Sequence, residues 1–302
     1  MSNICLCCGK DLNNDISYWH PSCIKKMFSS SSIPNINIDD DSITEENLNS
    51  SKIVTGVQKK FSLDIIIKKA RKTFPSGEYI IKTQQENLNN IVYYEWIGMK
   101  LAKLCKIDIV DCGIIKSNNS LYYITKRIDR VNGKRIPMED FCQLSNSQTE
   151  YKYNYSYEKC YKNVIHKYSD YETLDKIKFY RIVLFSYIIG NTDMHLKNFS
   201  LYEIDNKYQL TPAYDLVPVL MIFNQEEMAL TINGKQKNIT KKDFYKFAYS
   251  MDIDMKIIDS IHKDIYNAKD KMYDFIKKTD LSIDEKDKFI NFIDLKIESL
   301  CK

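Results

Sequence analysis

Gly190-Asn191-Thr192-Asp193-Met194-His195-Leu196-Lys197-Asn198-Phe199 is the stretch on which the reading of this chain turns. An apolar, helix-like run from Arg181 to Ile189 precedes it, and a strand-like run from Phe199 to Tyr202 follows. The polar cluster thus sits where a helix hands over to a sheet. Asp193 and Asn198 stand five positions apart. In a phosphoryl-transfer loop of the kinase type this spacing carries an Asp that accepts a hydroxyl proton and an Asn that holds Mg²⁺. A second acid, Asp215 in Pro212-Ala213-Tyr214-Asp215, could supply another oxygen ligand. Between them, Phe199 to Leu210 is β-like and broken by Asp205-Asn206, a hairpin signal that returns the chain toward Asn198. Mg²⁺ takes oxygen ligands, commonly one or two carboxylates with substrate phosphates. Asn198 and Asp215 are therefore the expected metal ligands and Asp193 the expected proton acceptor, with His195 and Lys197 offsetting charge on the transferred phosphoryl group. On spacing alone, a solvated turn with caps remains the alternative.

Composition narrows the classes open to such chemistry. At 302 residues the chain can hold one large domain or two lobes. Hydrophobic residues at 44% and charged residues at 28% are those of a globular protein. The net charge of +4 leaves 44 basic residues nearly matched by 40 acidic ones, which gives no footprint for direct nucleic-acid binding. No apolar run reaches the roughly 18 to 20 residues of a membrane span, and residues 1–28 lack a signal-peptide core. A cytoplasmic protein without membrane contact is expected, and its nine cysteines read as free thiols or metal ligands rather than disulfides.

Four of those cysteines, Cys5, Cys7, Cys8 and Cys23, fall in residues 1–28. Cys5-x2-Cys8 and His20-x2-Cys23 make a Cys/Cys/His/Cys set suited to structural, tetrahedral zinc. A metal-free cysteine-rich edge, with Trp19 and Phe28 packed on the neighbouring lobe, is the competing reading. Residues 29–52 are polar and read as a connector. Residues 53–135 mix strand and helix patterns, as a small nucleotide-holding lobe would. Tyr79 to Lys82 and Leu121 to Ile128 are strand-like, and Tyr93 to Cys105 has helical spacing with Trp96, Met99, Leu101 and Leu104 inward. Lys82 at a strand end and Glu95 on the next helix could form the Lys–Glu pair of a phosphate site. Val54 to Lys60, with the single glycine Gly56, could cover phosphates with backbone N–H groups or be an ordinary turn. Residues 136–302 are mostly helical, notably Leu174 to Ile189, Met255 to Ile265 and Lys286 to Leu300. Tyr151 to Tyr171 carries seven tyrosines among lysines, which suits a surface for a protein substrate or plain packing.

From Thr55 onward, four blocks in order resemble the HipA family of bacterial serine/threonine kinase toxins. Thr55-Gly56-Val57-Gln58-Lys59-Lys60-Phe61-Ser62-Leu63 is similar to its phosphate loop. Lys126-Arg127-Ile128-Asp129-Arg130, followed by Glu139 to Leu144, is similar to its hinge block. Gly190 to Ser200 and Pro212 to Leu216 are similar to its catalytic and metal blocks. The resemblance implies an α+β, two-lobed protein-kinase-like fold with a small mixed α/β N-lobe and a mostly helical C-lobe. It implies an ATP-dependent serine/threonine protein kinase using Mg²⁺, with ATP between Lys82 and Asp215. By position, Asp193 would accept the proton, and Asn198 and Asp215 would hold Mg²⁺, with His195 and Lys197 nearby. Thr55, Gly56, Val57, Gln58, Lys59 and Lys60 would cover the phosphates and Lys82 would contact them. Lys126, Arg127 and Ile128 would hold adenine through backbone groups, Asp129 would reach the ribose, and Tyr214 would belong to the cofactor site.

The family phosphorylates aminoacyl-tRNA synthetases and is restrained by a DNA-binding antitoxin, HipB. A toxin acting on a translation component, with a HipB-like partner, is the implied role. The chain begins almost at the kinase core, as in the shortened kinase HipT, whose small partner HipS replaces the missing subdomain; a HipS-like partner is therefore also implied. Ile53 stands where the family's regulatory serine is phosphorylated, so Thr55 or the nearby Ser51 is the expected autophosphorylation site, where a phosphate would repel ATP. Lys126 replaces a hinge acid, a change that backbone recognition tolerates. A catalytically silent nucleotide-binding module and a small-molecule or lipid kinase are the competing readings. The intact Asp193, Asn198 and Asp215 weigh against the first, and the lack of a basic amphipathic surface helix against the second.

Overall fold

A computed structural model describes residues 3–12, 17–34, 60–66, 69–71, 77–84, 88, 90–117, 120–131, 134–223 and 227–302. Two compact units emerge, one of Asn3–Trp96 with Asp111–Arg127 and the other of Ile97–Val110 with Ile128–Lys302. The chain passes from one to the other at Arg127, inside the stretch 53–135 expected to form the small lobe, and Ile97–Val110 within that stretch groups with the helical unit.

The first unit is built on an antiparallel sheet. Its strands are β1 (Lys60–Ile66), β2 (Lys69–Arg71), β3 (Tyr79–Thr83), β4 (Cys112–Ser117) and β5 (Ser120–Lys126), in the order β2-β1-β3-β5-β4. Tyr79, Ile81 and Ile124 are buried on one face of the central strands, with Ile81 opposite Ile124, and Tyr123 is buried on the other, opposite Lys82. Helix α1 (Pro21–Phe28) starts with Pro at its first turn, where the missing N–H costs no hydrogen bond. It packs through Phe28, whose ring stacks on Trp19 at 5.3 Å, and through Met27, whose carbonyl accepts from the Tyr79 hydroxyl. Helix α2 (Ile91–Leu104) begins in this unit and ends in the other.

The second unit is centred on helix α3 (Glu172–Ile189). Phe179, Tyr180 and Ile182 to Ile189 are all buried, so the helix is apolar around its circumference, as a core helix is. Phe141, Tyr157, Phe179, Phe199 and Phe247 form an aromatic cluster about its middle, with Phe179 and Phe199 only 4.9 Å apart in edge-to-face contact. Strands β8 (Met138–Asp140), β9 (Ser200–Ile204) and β10 (Lys207–Leu210) make a second antiparallel sheet, while β6 (Arg130–Val131) pairs with β7 (Lys134–Arg135). The β9–β10 turn is Asp205-Asn206, both at positive φ (52° and 60°), the conformation of a two-residue hairpin turn. Three further helices close the unit: α4 (Lys241–Ser250), α5 (Met255–Lys278) and α6 (Ile283–Cys301). Capping boxes at Thr240/Asp243 and Ser282/Glu285 start α4 and α6.

Gly98, on α2, shows how tightly this unit is built. A Cβ there would stand 1.9 Å from the carbonyl oxygen of Leu216, so only glycine lets the backbone of the Asp215-Leu216 segment rest on the helix.

His262 of α5 bridges three helices. Its Nδ1 donates to the Leu300 carbonyl of α6 (2.7 Å), and its Nε2 accepts from the Tyr180 hydroxyl of α3 (2.8 Å). Burial pushes its pKa down to about 4, against the opposing pull of the Leu300 carbonyl. An unfolded histidine titrates near pH 6.5. The neutral ring's contribution is therefore complete above that pH and lost as pH falls toward 4. The expected outcome is a loss of about 2 kcal/mol of unfolding free energy between pH 7 and pH 5. Urea titrations of the wild type and of His262→Gln check it, and the variant should show a shallower acid slope.

Candidate active site

Local chemistry places the catalytic-type loop. Helix α3 stops at Gly190, whose φ of +73° turns the chain out of the helix. The N–H of Asn191 closes back on the Ser186 carbonyl (2.8 Å). Asn191 then points a fully buried carboxamide into the loop. Its Oδ1 accepts from the Asp193 N–H (3.3 Å), and its Nδ2 donates to the Asp215 carbonyl (3.4 Å). Asn198 adds a shorter tie, its Nδ2 donating to the Asp193 carbonyl at 2.8 Å. One hydrogen-bonded system thus joins Asp193, Asn198 and the backbone of Asp215. The hydroxyl of Tyr214 reinforces it, meeting Ser200 Oγ at 2.6 Å and donating to the Lys197 carbonyl at 3.2 Å. Burial raises the Tyr214 pKa, so the phenol keeps its proton.

The donor set fits a hard divalent cation. With Asn198 Nδ2 committed to a carbonyl, the other end of that amide, Oδ1, is an acceptor suited to Mg²⁺. Asp215 adopts φ +56°, a left-handed conformation that costs a non-glycine residue energy. It is held there by the Val217 N–H on its carbonyl (3.1 Å), by Asn191 and by the Gly98 contact. Strain kept by such over-determination clusters at functional positions.

Tyr153 donates its hydroxyl to Asp193 Oδ1 at 2.7 Å, and its ring stands edge-on to His195 at 5.0 Å. Burial and the bond to Asp193 raise its pKa, so it remains a donor. Lys152 is buried beside it, its Nζ 4.9 Å from the Tyr153 ring centroid.

His195 does not supply the positive charge expected of it. Burial, with the nearby Lys152 charge, pushes its pKa down to about 4, although Asp193 pulls the other way. The ring is neutral near pH 7. Its Nδ1 accepts from the Lys197 N–H (3.2 Å), capping the short turn Leu196–Asn198. Lys197 has no ion-pair partner among the described residues.

In the sheet unit, Lys82 and Glu95 form a buried ion pair at 2.5 Å, with 3% and 0% of their side chains exposed. Lys82 Nζ also lies 5.4 Å from the Tyr123 ring centroid. The N–H of Lys126 is bonded to the Asp111 carbonyl and that of Arg127 to the Glu78 carbonyl, both at 2.8 Å. Asp129, expected at the ribose, holds an ion pair with Arg130 at 2.5 Å. Thr55, Gly56, Val57, Gln58 and Lys59, together with Ser51, lie outside the described residues, and Lys60 opens β1 opposite Lys82. Cys5, Cys8, His20 and Cys23 converge, their ligand atoms all within 4.8 Å of one another.

The sequence reading gave Asn191 and Ser200 no role beyond lying in the Gly190–Ser200 block, and placed Lys152 and Tyr153 only within the tyrosine-rich stretch 151–171. Asn191 could have been singled out as a polar residue directly after a helix-ending glycine. Nothing in the sequence links Tyr153 to an acid 40 residues downstream.

The profile of the HipA-like C-terminal domain matches residues 53–272. Y4dM of Sinorhizobium fredii, whose name marks it as a candidate kinase, is 26% identical over 242 residues, covering 73% of this chain and 59% of that protein. The serine/threonine-protein kinase toxin HipA of Shewanella oneidensis is 27% identical over 208 residues, covering 60% of this chain and 47% of that one. The chain therefore spans about half to three-fifths of the length of these relatives. Among solved structures, HipA of S. oneidensis, in complex with HipB and operator DNA, superposes with a TM-score of 0.66 at 18% identity, covering 88% of this chain and 64% of that one. The proinflammatory kinase CtkA of Helicobacter pylori gives 0.58 at 15% identity, covering 78% and 88%. Both likenesses establish the kinase-like α+β fold. With nearly three-quarters of its length inside the matched span, the chain belongs to the HipA-like C-terminal domain family.

Proposed function

We propose that this chain is an ATP-dependent kinase that phosphorylates serine or threonine hydroxyls of a protein. The observation that carries the reading is the hydrogen-bonded system joining Asp193, Asn198 and Asp215. It sets a carboxylate, an amide oxygen and a second acid on one immobilised loop pair. Asn198 Oδ1 and Asp215 would hold Mg²⁺, and Lys82, kept in place by Glu95, would pair with the nucleotide's phosphates. Bound Mg·ATP would supply the phosphoryl group and neutralise charge around it. Asp193 takes the proton of the acceptor hydroxyl. Tyr153 fixes Asp193 Oδ1 and thereby leaves Oδ2 to meet the incoming hydroxyl. With His195 neutral, Lys152 beside Tyr153 and Lys197 in the loop itself are left to offset charge.

Membership of this family supports a toxin role, with a HipB-like protein as the restraining partner and a translation component such as an aminoacyl-tRNA synthetase as the target. The support for the partner is the Shewanella HipA structure, which was solved with HipB and operator DNA.

Asp193→Asn should lower phosphoryl transfer from labelled ATP by about 10²- to 10⁴-fold while nucleotide binding persists. Asp215→Asn should instead weaken Mg·ATP binding, read by calorimetric titration with and without Mg²⁺. Wild-type transfer by Asp193→Asn would overturn the assignment of the base.

Tyr153→Phe removes one hydrogen bond to the base and leaves the ring on His195. Such a bond is worth about 1 to 1.5 kcal/mol, so kcat should fall about five- to tenfold with KM for ATP unchanged. Steady-state kinetics on the variant check this, and an unchanged kcat removes Tyr153 from the positioning of Asp193.

A further inference from the structure

We infer that Cys5, Cys8, His20 and Cys23 bind a structural zinc ion that fastens the N-terminal segment over the edge of the five-stranded sheet. Three thiol sulfurs and one imidazole nitrogen lie within 4.8 Å of one another. A tetrahedral site with Zn–S of about 2.3 Å and Zn–N of about 2.0 Å has edges of about 3.5 to 3.8 Å. Cys8 Sγ and His20 Nδ1 are already 3.3 Å apart. Thiolates with imidazole in four-fold geometry select zinc among the common divalent ions, and four protein ligands leave no open position for catalysis.

The surroundings are those of a metal knuckle. Cys5 and Cys8 lie on a tight turn that Gly9 closes at φ +76°, its N–H bonded to the Cys5 carbonyl (2.8 Å). Cys5 Sγ accepts from the His20 N–H at 3.3 Å, as an amide-stabilised thiolate does. His20 Nε2 lies 3.1 Å from the Asp11 carbonyl. That carbonyl can only accept, so the ring proton sits on Nε2 and the lone pair of Nδ1 faces the three sulfurs, the outer-shell arrangement typical of ligating histidines. Cys23 comes from the first turns of α1, so one ion would tie the turn, the loop and the helix together.

The knuckle is joined to the sheet at β4, an edge strand in the order β2-β1-β3-β5-β4. The Ile114 N–H of β4 donates to the Leu6 carbonyl (2.9 Å), and the Trp19 indole N–H donates to the Ile114 carbonyl (2.8 Å). Both polar groups of one edge residue are thus covered by residues beside zinc ligands. Gly113 makes room for this, since a Cβ there would stand 2.4 Å from the Trp19 ring. Segments this short hold little core of their own, and a structural metal commonly supplies the missing stability. An exposed edge strand invites pairing with other chains, so the cover also protects against aggregation.

The test uses the full chain purified under reductant. Elemental analysis should find about one zinc per chain, and cobalt exchanged into the site should give the absorption of a tetrahedral thiolate complex. The double variant Cys5→Ser, Cys23→Ser should lose the metal, whereas Cys7→Ser, next to Cys8 and two positions from Cys5, should keep it. Should the double variant fail to fold, a chelator applied to the wild type replaces it. Removing a tightly held ion should lower the melting midpoint on the order of 10 °C, with recovery on adding Zn²⁺. A reduced chain that holds no zinc after growth in zinc, and whose melting Zn²⁺ leaves unchanged, overturns the inference. So does a Cys7→Ser chain that loses its metal as readily as the double variant.

Discussion

A buried carboxamide has to be satisfied, and at Asn191 that requirement organises the catalytic-type loop. Leaving such a group without partners costs about 1 to 3 kcal/mol. Its two ends find partners on different segments, the Asp193 N–H on one side and the Asp215 carbonyl on the other. These segments come from opposite sides of the β9–β10 hairpin, so no local propensity could hold them in register. The Tyr214 hydroxyl makes a second link across the same gap through Ser200 and the Lys197 carbonyl. Two independent ties explain how Asp215 can remain at φ +56°, a conformation that a free loop would relax. The Gly98 contact adds a third constraint from α2, because the Leu216 carbonyl has no room to retreat toward the helix.

Charge is managed differently in the two units. In the sheet unit, Lys82 is almost wholly buried, and Glu95 lies against it at 2.5 Å. Removing either partner would strand the other in a medium of low polarity, a loss of about 3 to 5 kcal/mol. Such a pair is a poor source of stability and a good way to hold an amine in one place. At the catalytic-type loop, by contrast, His195 is kept neutral by burial and serves as a cap. Its Nδ1 is already engaged by the Lys197 N–H, so what the ring offers the site is shape and an edge against Tyr153.

Legibility followed the range of the interactions. Asp205-Asn206 announced the hairpin because two-residue turns need residues that tolerate positive φ, and both adopt it. The helices after Thr240 were readable from their 3.6-residue period, and their starts are marked by side-chain caps that lie within four residues. Lys82 and Glu95 were readable as a pair because a strand end and the next helix are close in sequence. Tyr153 was not, since its link to Asp193 depends on tertiary packing alone. The partners of the Lys126 and Arg127 N–H groups, the carbonyls of Asp111 and Glu78, were equally out of reach, because they are set by strand order, which periodicity does not reveal. The neutrality of His195 is a consequence of burial, and burial of a polar loop residue leaves no mark in a single sequence.

The Cys/His knuckle and the buried Lys82 belong to one sheet, and that bears on why the knuckle is there. Leu6 and Trp19 are bonded to Ile114 on β4, Ile114 lies opposite Tyr123 on β5, and Tyr123 lies opposite Lys82 on β3. The path from the knuckle to the lysine is therefore a row of cross-strand neighbours, with the Lys82 ammonium above the Tyr123 ring at its end. The matched family span begins at residue 53, so the knuckle lies outside it, on the edge strand β4 of the sheet. A sheet that must hold a buried charge in fixed geometry gains from having its edge strand closed, because fraying at β4 would pass through β5 to β3. On this view the N-terminal segment is a brace for the strand that carries Lys82.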